Sequence, residues 1–198
     1  MRSRSAAGLL EGAGFQQAHT LTGGLLAWDG RTASGPPETG MLIFSDADTP
    51  QALGQLAMML EEGSRRFYSS MADAASNPSV KVLFDELVLA ETHHQEKLLN
   101  FCRRLSAKDP TSPLPQSDYP DLMEGGIPLT EGLQWSKGKS ATEILQFSMA
   151  LETNACDLYL RMITRMKEDP ESTALFEHLA GEEQLHLKRM AKLLEKKN

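Results

Sequence analysis

From Thr49 onward, apolar residues recur at intervals of three and four, the spacing that gathers them on one face of an α-helix. Four such stretches are separated by helix-breaking dipeptides. Thr49-Pro50 reads as an N-cap followed by proline at the first helical position. It predicts a first helix running to about Ser76, where Asn77-Pro78 breaks the pattern. A second helix is predicted from about Ser79 to Ser106. Residues 107–139 hold five prolines and Gly125-Gly126 and read as one long connection without regular structure. Ser140 and Glu143 form an S-x-x-E capping box ahead of a third helix that reaches about Glu168. Asp169-Pro170 then turns the chain into a fourth helix that runs to the C-terminus. Two tight helical hairpins joined by a long crossover is a known bundle topology, so the pattern predicts an all-α four-helix bundle over residues 49–198.

The hairpins are copies of each other. Leu83–Leu98 (LFDELVLAETHHQEKL) and Leu175–Met190 (LFEHLAGEEQLHLKRM) share L-F-[DE]-x-L-x-x-x-E-x-x-H-x-x-[KR]-[LM] without a gap. Leu60–Tyr68 (LEEGSRRFY) and Leu151–Tyr159 (LETNACDLY) share L-E-x-x-small-x-x-[FL]-Y. The interval from Glu61 to Glu91 is 30 residues and that from Glu152 to Glu183 is 31, so one helical hairpin is used twice.

Polar residues interrupt each apolar stripe at its middle. Glu91 and His94 sit between Val80, Leu83 and Leu87 on one side and Leu98, Phe101 and Leu105 on the other. Glu183 and His186 sit between Leu175 and Leu179 and Met190 and Leu193. Glu61 shares a face with Ala57, Ser64, Tyr68 and Met71, and Glu152 with Ser148, Ala155, Tyr159 and Met162. At about 1.5 Å rise per residue, the glutamates of each hairpin reach a similar depth from its turn. Four carboxylates would thus point into one core, where burial and mutual repulsion both oppose their charge. A pair of bound metal ions removes both problems. Glutamate and histidine three residues apart lie on one helix face, so the carboxylate can bridge two metals while the imidazole caps one. A single E-x-x-H is ordinarily solvated surface. Two in register within a duplicated hairpin, with two matching glutamates, predict a two-metal site of Glu61, Glu91, His94, Glu152, Glu183 and His186. The competing interpretation is an acidic stripe facing water or a partner. Iron and manganese suit a carboxylate-rich, imidazole-poor set better than copper does.

Composition narrows the function classes. Hydrophobic residues make up 40% and charged residues 24%, as in a globular domain. The net charge of −7 comes with no basic patch, which argues against a nucleic-acid partner. No apolar run approaches the roughly 18 residues of a membrane span. Glu11 interrupts the apolar stretch that follows the basic start, so no signal peptide is expected. Cys102 and Cys156 form no CxxC pair, which argues against a structural zinc site or a disulfide framework. A cytoplasmic location is expected.

The ligand arrangement resembles that of the ferritin-like di-iron carboxylate proteins, and within them the rubrerythrin group. The resemblance is carried by the E-x-x-small-x-x-F-Y phrase from Glu61 to Tyr68 and by the E-x-x-H repeat, and it covers residues 49–198. It implies a ferritin-like bundle with two iron ions, replaceable by manganese or zinc, on the six residues above. It also implies an oxidoreductase that reduces peroxide or dioxygen in oxidative-stress defence, drawing electrons from an external donor, and a homodimer. Two alternatives belong to other classes: an iron-handling protein with a ferroxidase or storage role, and a redox-sensing partner of a sulfurtransferase. Two departures stand out. Rubrerythrins commonly carry a further glutamate three residues after the third-helix ligand, where this chain has Ala155. Many also carry a rubredoxin domain with two CxxC knuckles, which this chain lacks. With every proposed ligand matched between hairpins and no extra glutamate, the cluster is expected to be near two-fold symmetric.

Residues 1–40 carry eight of the fifteen glycines, and residues 31–48 read as a linker. Residues 1–30 resemble the end of a rhodanese domain, an α/β fold, through Arg2, Ser3, Ala6 and Ala7, then LLEGAGF, then LTGGLLAW ending at Trp28. The rhodanese nucleophile is a cysteine just before the R-S pair, which would fall ahead of Met1. The expectation is therefore a truncated remnant without sulfurtransferase activity, since sulfur transfer needs that thiolate. Elsewhere, His93 points about 100° away from His94 and is expected at the surface. Tyr68 and Tyr159 either border the site as hydrogen-bond donors or pack in the core. Cys156 is expected to be a buried, inert thiol.

Overall fold

The computed structural model describes residues 49–108 and 121–195. The rhodanese-like stretch of residues 1–30 and the linker of residues 31–48 lie outside the described residues. Among the described residues, five helices and one small hairpin follow in order: α1 (Pro50–Ala74), α2 (Pro78–Lys108), β1 (Leu122–Met123), β2 (Ile127–Pro128), α3 (Leu129–Ser136), α4 (Ala141–Arg165) and α5 (Pro170–Glu195).

The helix starts follow from local chemistry. Thr49 Oγ1 accepts the Ala52 N–H at 3.1 Å, and Pro50 opens α1 where no amide donor is needed. Asn77 and Asp169 repeat that device ahead of Pro78 and Pro170. Asn77 Oδ1 accepts from Ser79 N at 2.9 Å, and Asp169 Oδ1 from Glu171 N at 3.2 Å. Ser140 and Glu143 form the reciprocal capping box, with Glu143 N to Ser140 Oγ at 3.2 Å and Ser140 N to Glu143 Oε2 at 2.9 Å.

Helices α1 and α2 pack as one hairpin and α4 and α5 as the other. Apolar contacts fall into two groups. One holds Leu53, Leu60, Leu98, Phe101, Tyr159, Phe176 and Leu179. The other holds Phe67, Tyr68, Leu83, Phe84, Leu87, Leu151 and Met190. Along α2, Leu87 belongs to one group and Leu98 to the other; along α5, Met190 and Leu179 divide in the same way. The residues between them on each helix are Glu91 with His94 and Glu183 with His186. Two apolar layers thus close the bundle above and below a polar belt.

The crossover differs from the expected structureless connection. Residues 122–128 form an antiparallel hairpin in which Leu122 pairs with Pro128 and Met123 with Ile127. Gly125 and Gly126 take φ values of 84° and 71°, a left-handed geometry that favours glycine and closes the hairpin. Helix α3 follows directly and packs on α1. Met123 is fully buried against the Phe67 side of the core. At Gly63 of α1, any Cβ would collide with the Leu122 carbonyl, so glycine there lets the crossover lie on the helix backbone. Among the described residues, no helix is long and apolar enough to cross a membrane.

Candidate metal centre

All six residues singled out from the spacing are buried and meet at the middle of the bundle. Glu61, Glu91, His94 and Glu183 each place a donor atom within 4.8 Å of the others, and so do Glu91, Glu152, Glu183 and His186. The two sets interlock, because Glu91 and Glu183 belong to both. Glu61 and His94 belong to the first set alone, and Glu152 and His186 to the second alone. Each imidazole points Nδ1 inward. His94 Nδ1 lies 3.3 Å from Glu61 Oε2, 3.5 Å from Glu91 Oε2 and 3.1 Å from Glu183 Oε1. His186 Nδ1 lies 2.8 Å from Glu152 Oε2 and 3.1 Å from Glu183 Oε2. The two rings face each other at 5.7 Å between centroids.

The tyrosines cross between the hairpins. Tyr68 of α1 donates its hydroxyl to Glu152 Oε1 of α4, and Tyr159 of α4 donates to Glu61 Oε1 of α1. Both rings are fully buried, and burial followed by the Glu152 charge holds the Tyr68 phenol well above its usual pKa, so it remains a donor. Outside His94, Glu182 Oε2 stands 3.2 Å from Nε2 and is itself gripped by Lys97 Nζ at 2.6 Å. A carboxylate behind the imidazole is the arrangement that fixes ring orientation in metal-binding histidines. His93 is exposed, and Cys156 is buried with its thiol pushed up to about 11 by burial, an unreactive state.

Protons compensate the mutual repulsion of these buried carboxylates. Burial, and then the Glu91 charge, raises Glu61 well above the carboxylate range. Burial and the Glu152 charge raise Glu183 to about 8. Burial also pushes on Glu152, but hydrogen bonds from Glu183 and His186 outweigh it and bring Glu152 down to about 2. Burial works against a charged imidazole at His186, yet Glu152 and Glu183 raise it to about 10, and Glu61 and Glu183 hold His94 up in the same sense. Even so, Glu91 Oε2 and Glu183 Oε1 have no aligned hydrogen-bond partner, because the nearby His94 Nδ1 is shared among three carboxylates. These orphaned oxygens belong to the two carboxylates shared by both sets. The residues therefore fit a pair of metal ions: four carboxylates and two imidazoles, all buried, with unused lone pairs at the shared positions.

One buried acid at the cluster was not legible from spacing. Glu124, from the crossover hairpin, is 3% exposed, and burial together with the Glu91 and Glu152 charges holds its carboxyl well above the usual range. It belongs to no helical period. Its available signal was the Gly125-Gly126 pair beside it, between the short apolar runs Leu122-Met123 and Ile127-Pro128, which is a hairpin signature.

Bundle and cluster together define a ferritin-like fold with buried carboxylate–histidine groups that could hold metal. The chain belongs to the rubrerythrin family: the family model described as Rubrerythrin matches residues 55–117 and 143–198. No curated protein and no solved structure matches the chain.

Proposed function

We propose that this chain is a di-iron oxidoreductase that reduces peroxide or dioxygen with electrons from an external donor. The observation that carries the proposal is the pair of interlocked ligand sets sharing Glu91 and Glu183. When bound there, iron supplies redox electrons and Lewis acidity. The protein's own part is to hold and orient. Glu91 and Glu183 would be shared by two ions, His94 and His186 would each hold one, and the crossed tyrosine bonds fix how Glu61 and Glu152 point. Burial of all six ligands favours an oxidant of two oxygen atoms over an organic substrate. The balance is two electrons and two protons per peroxide, giving two waters.

The test is anaerobic loading with ferrous ion, followed by rapid mixing with peroxide or with dioxygen while iron oxidation is followed by absorbance. Two ferrous ions per chain should be oxidised by one peroxide, much faster than free ferrous ion in the same buffer. Oxidation no faster than that of free iron would remove the proposal.

A further inference from the structure

Among the described residues, Glu124 is the buried carboxylate with no place in either ligand set. It is 3% exposed, and its Oε2 has no hydrogen-bond partner. An ionised carboxylate left this way is costly in a protein interior. The chain nevertheless fixes it in place from two sides. Its backbone N–H points at Ser64 Oγ of α1 at 3.5 Å, one helical turn beyond Glu61. The next residue, Gly125, packs so closely on Asn154 of α4, two residues beyond Glu152, that a Cβ would strike the Asn154 amide. Leu122, just ahead, rests on Gly63. The hairpin tip thus sits across α1 and α4 at the level of their ligating glutamates. Burial and the charges of Glu91, Glu152 and Glu183 bear on the Glu124 carboxyl, and those three residues are the carboxylates of the set completed by His186.

We infer that Glu124 is a fifth carboxylate of the metal centre, supplied by the crossover hairpin to the position held by Glu152 and His186. This rests on the two-metal reading of the site. The family match passes over residues 118–142, so Glu124 comes from a segment that the match does not cover. Glu124 stands outside both tight sets. Its flexible side chain lets the carboxylate advance on a cation while the backbone stays against Ser64. The consequence is a pair of unequal positions: the one at His186 has an additional anionic oxygen donor within its surroundings, and the one at His94 does not.

Cobalt(II), added anaerobically to the metal-free full chain, is the probe, because its visible bands weaken as coordination number rises. The wild type should take up two ions per chain in two distinguishable steps. Glu124→Gln, which keeps the side-chain shape, should still take up two. One step should weaken by roughly 10- to 100-fold, with a stronger and shifted visible band for that step alone. Glu124→Ala should do the same, and Glu124→Asp should restore part of the affinity. Two bound ions with both affinities and both spectra unchanged in Glu124→Gln would overturn the inference and leave the two-metal reading standing. A wild type that binds one ion or none would overturn that reading and this inference with it.

Discussion

Glu61, Gly63, Ser64 and Tyr68 on α1 occupy the same places in the repeat as Glu152, Asn154, Ala155 and Tyr159 on α4, and Ala90 on α2 the same place as Glu182 on α5. Where the residue would hold metal, the two hairpins agree. Where it touches the surroundings, they part. Gly63 admits the Leu122 carbonyl while Asn154 meets Gly125, and Ser64 faces the Glu124 amide while Ala155 has no such group to offer. Glu182 backs His94, whereas its counterpart Ala90 has no carboxylate to place behind His186. The near two-fold symmetry expected from the sequence extends to which residues enter the two sets, but Glu61 is held above the carboxylate range while Glu152 lies at about 2. Duplication explains what is common; the crossover and the residues beside the ligands create the difference.

That comparison can be broken most severely at the shared carboxylates. Glu91→Ala and Glu183→Ala should each lower affinity at both positions by roughly 100-fold or more, while Glu61→Ala and Glu152→Ala should each empty one. Metal analysis after anaerobic loading and desalting distinguishes the two patterns, and near-normal metal content in either shared-site variant would contradict the assignment.

A second effect is one of pH. Metal must displace the protons held by Glu183, at about 8, and His186, at about 10, so affinity should rise with pH by up to about tenfold per unit for each proton released. For the metal-free protein the linkage runs the other way. Both groups bind protons more tightly folded than unfolded, starting from ordinary values of 4.5 for Glu183 and 6.5 for His186. Their stabilisation is complete below those ordinary values and is lost as pH rises through about 8 and then about 10. Thermal melts should show the metal-free protein weakening across that window and the loaded protein much less affected.

Smaller effects sharpen the contrast between the hairpins. Gly63→Ala should destabilise by about 1–3 kcal/mol, because its methyl group meets a backbone carbonyl. Asn154→Ala, at the equivalent place, should cost less; equal losses in Tm would show that the crossover does not rest on α1 in particular. Tyr68→Phe and Tyr159→Phe each remove one donor to a buried carboxylate, at roughly 1–2 kcal/mol. The pair should shift Tm alike, and a large inequality would place the asymmetry inside the ligand set.

The helices were legible in the sequence because each begins with a local signal, such as Thr49-Pro50 or the Ser140–Glu143 box, that does not depend on the rest of the fold. The six cluster residues were legible because burial turns a glutamate in an apolar stripe into an anomaly that helical spacing reveals. Glu124 escaped both signals. It lies in a three-residue turn with no period, and only the approach of α1 and α4 buries it. Helix α3 escaped because it is eight residues long, contains Gly132 and follows Pro128, so neither propensity nor length marks it.

The exchange in which Tyr68 reaches Glu152 and Tyr159 reaches Glu61 has the form of an isologous contact, in which the same patch on each of two protomers is complementary to itself. At the surface, Lys97 of α2 contacts His178 of α5, and Arg189 of α5 contacts Glu86 of α2, again a reciprocal exchange of equivalent positions. The bundle is thus constructed like a homodimer of a single hairpin whose protomers have been tied together by the crossover. The tie removes the requirement that both halves stay identical, and it brings its own residues to the junction, where no symmetric dimer could place one Glu124 without a second.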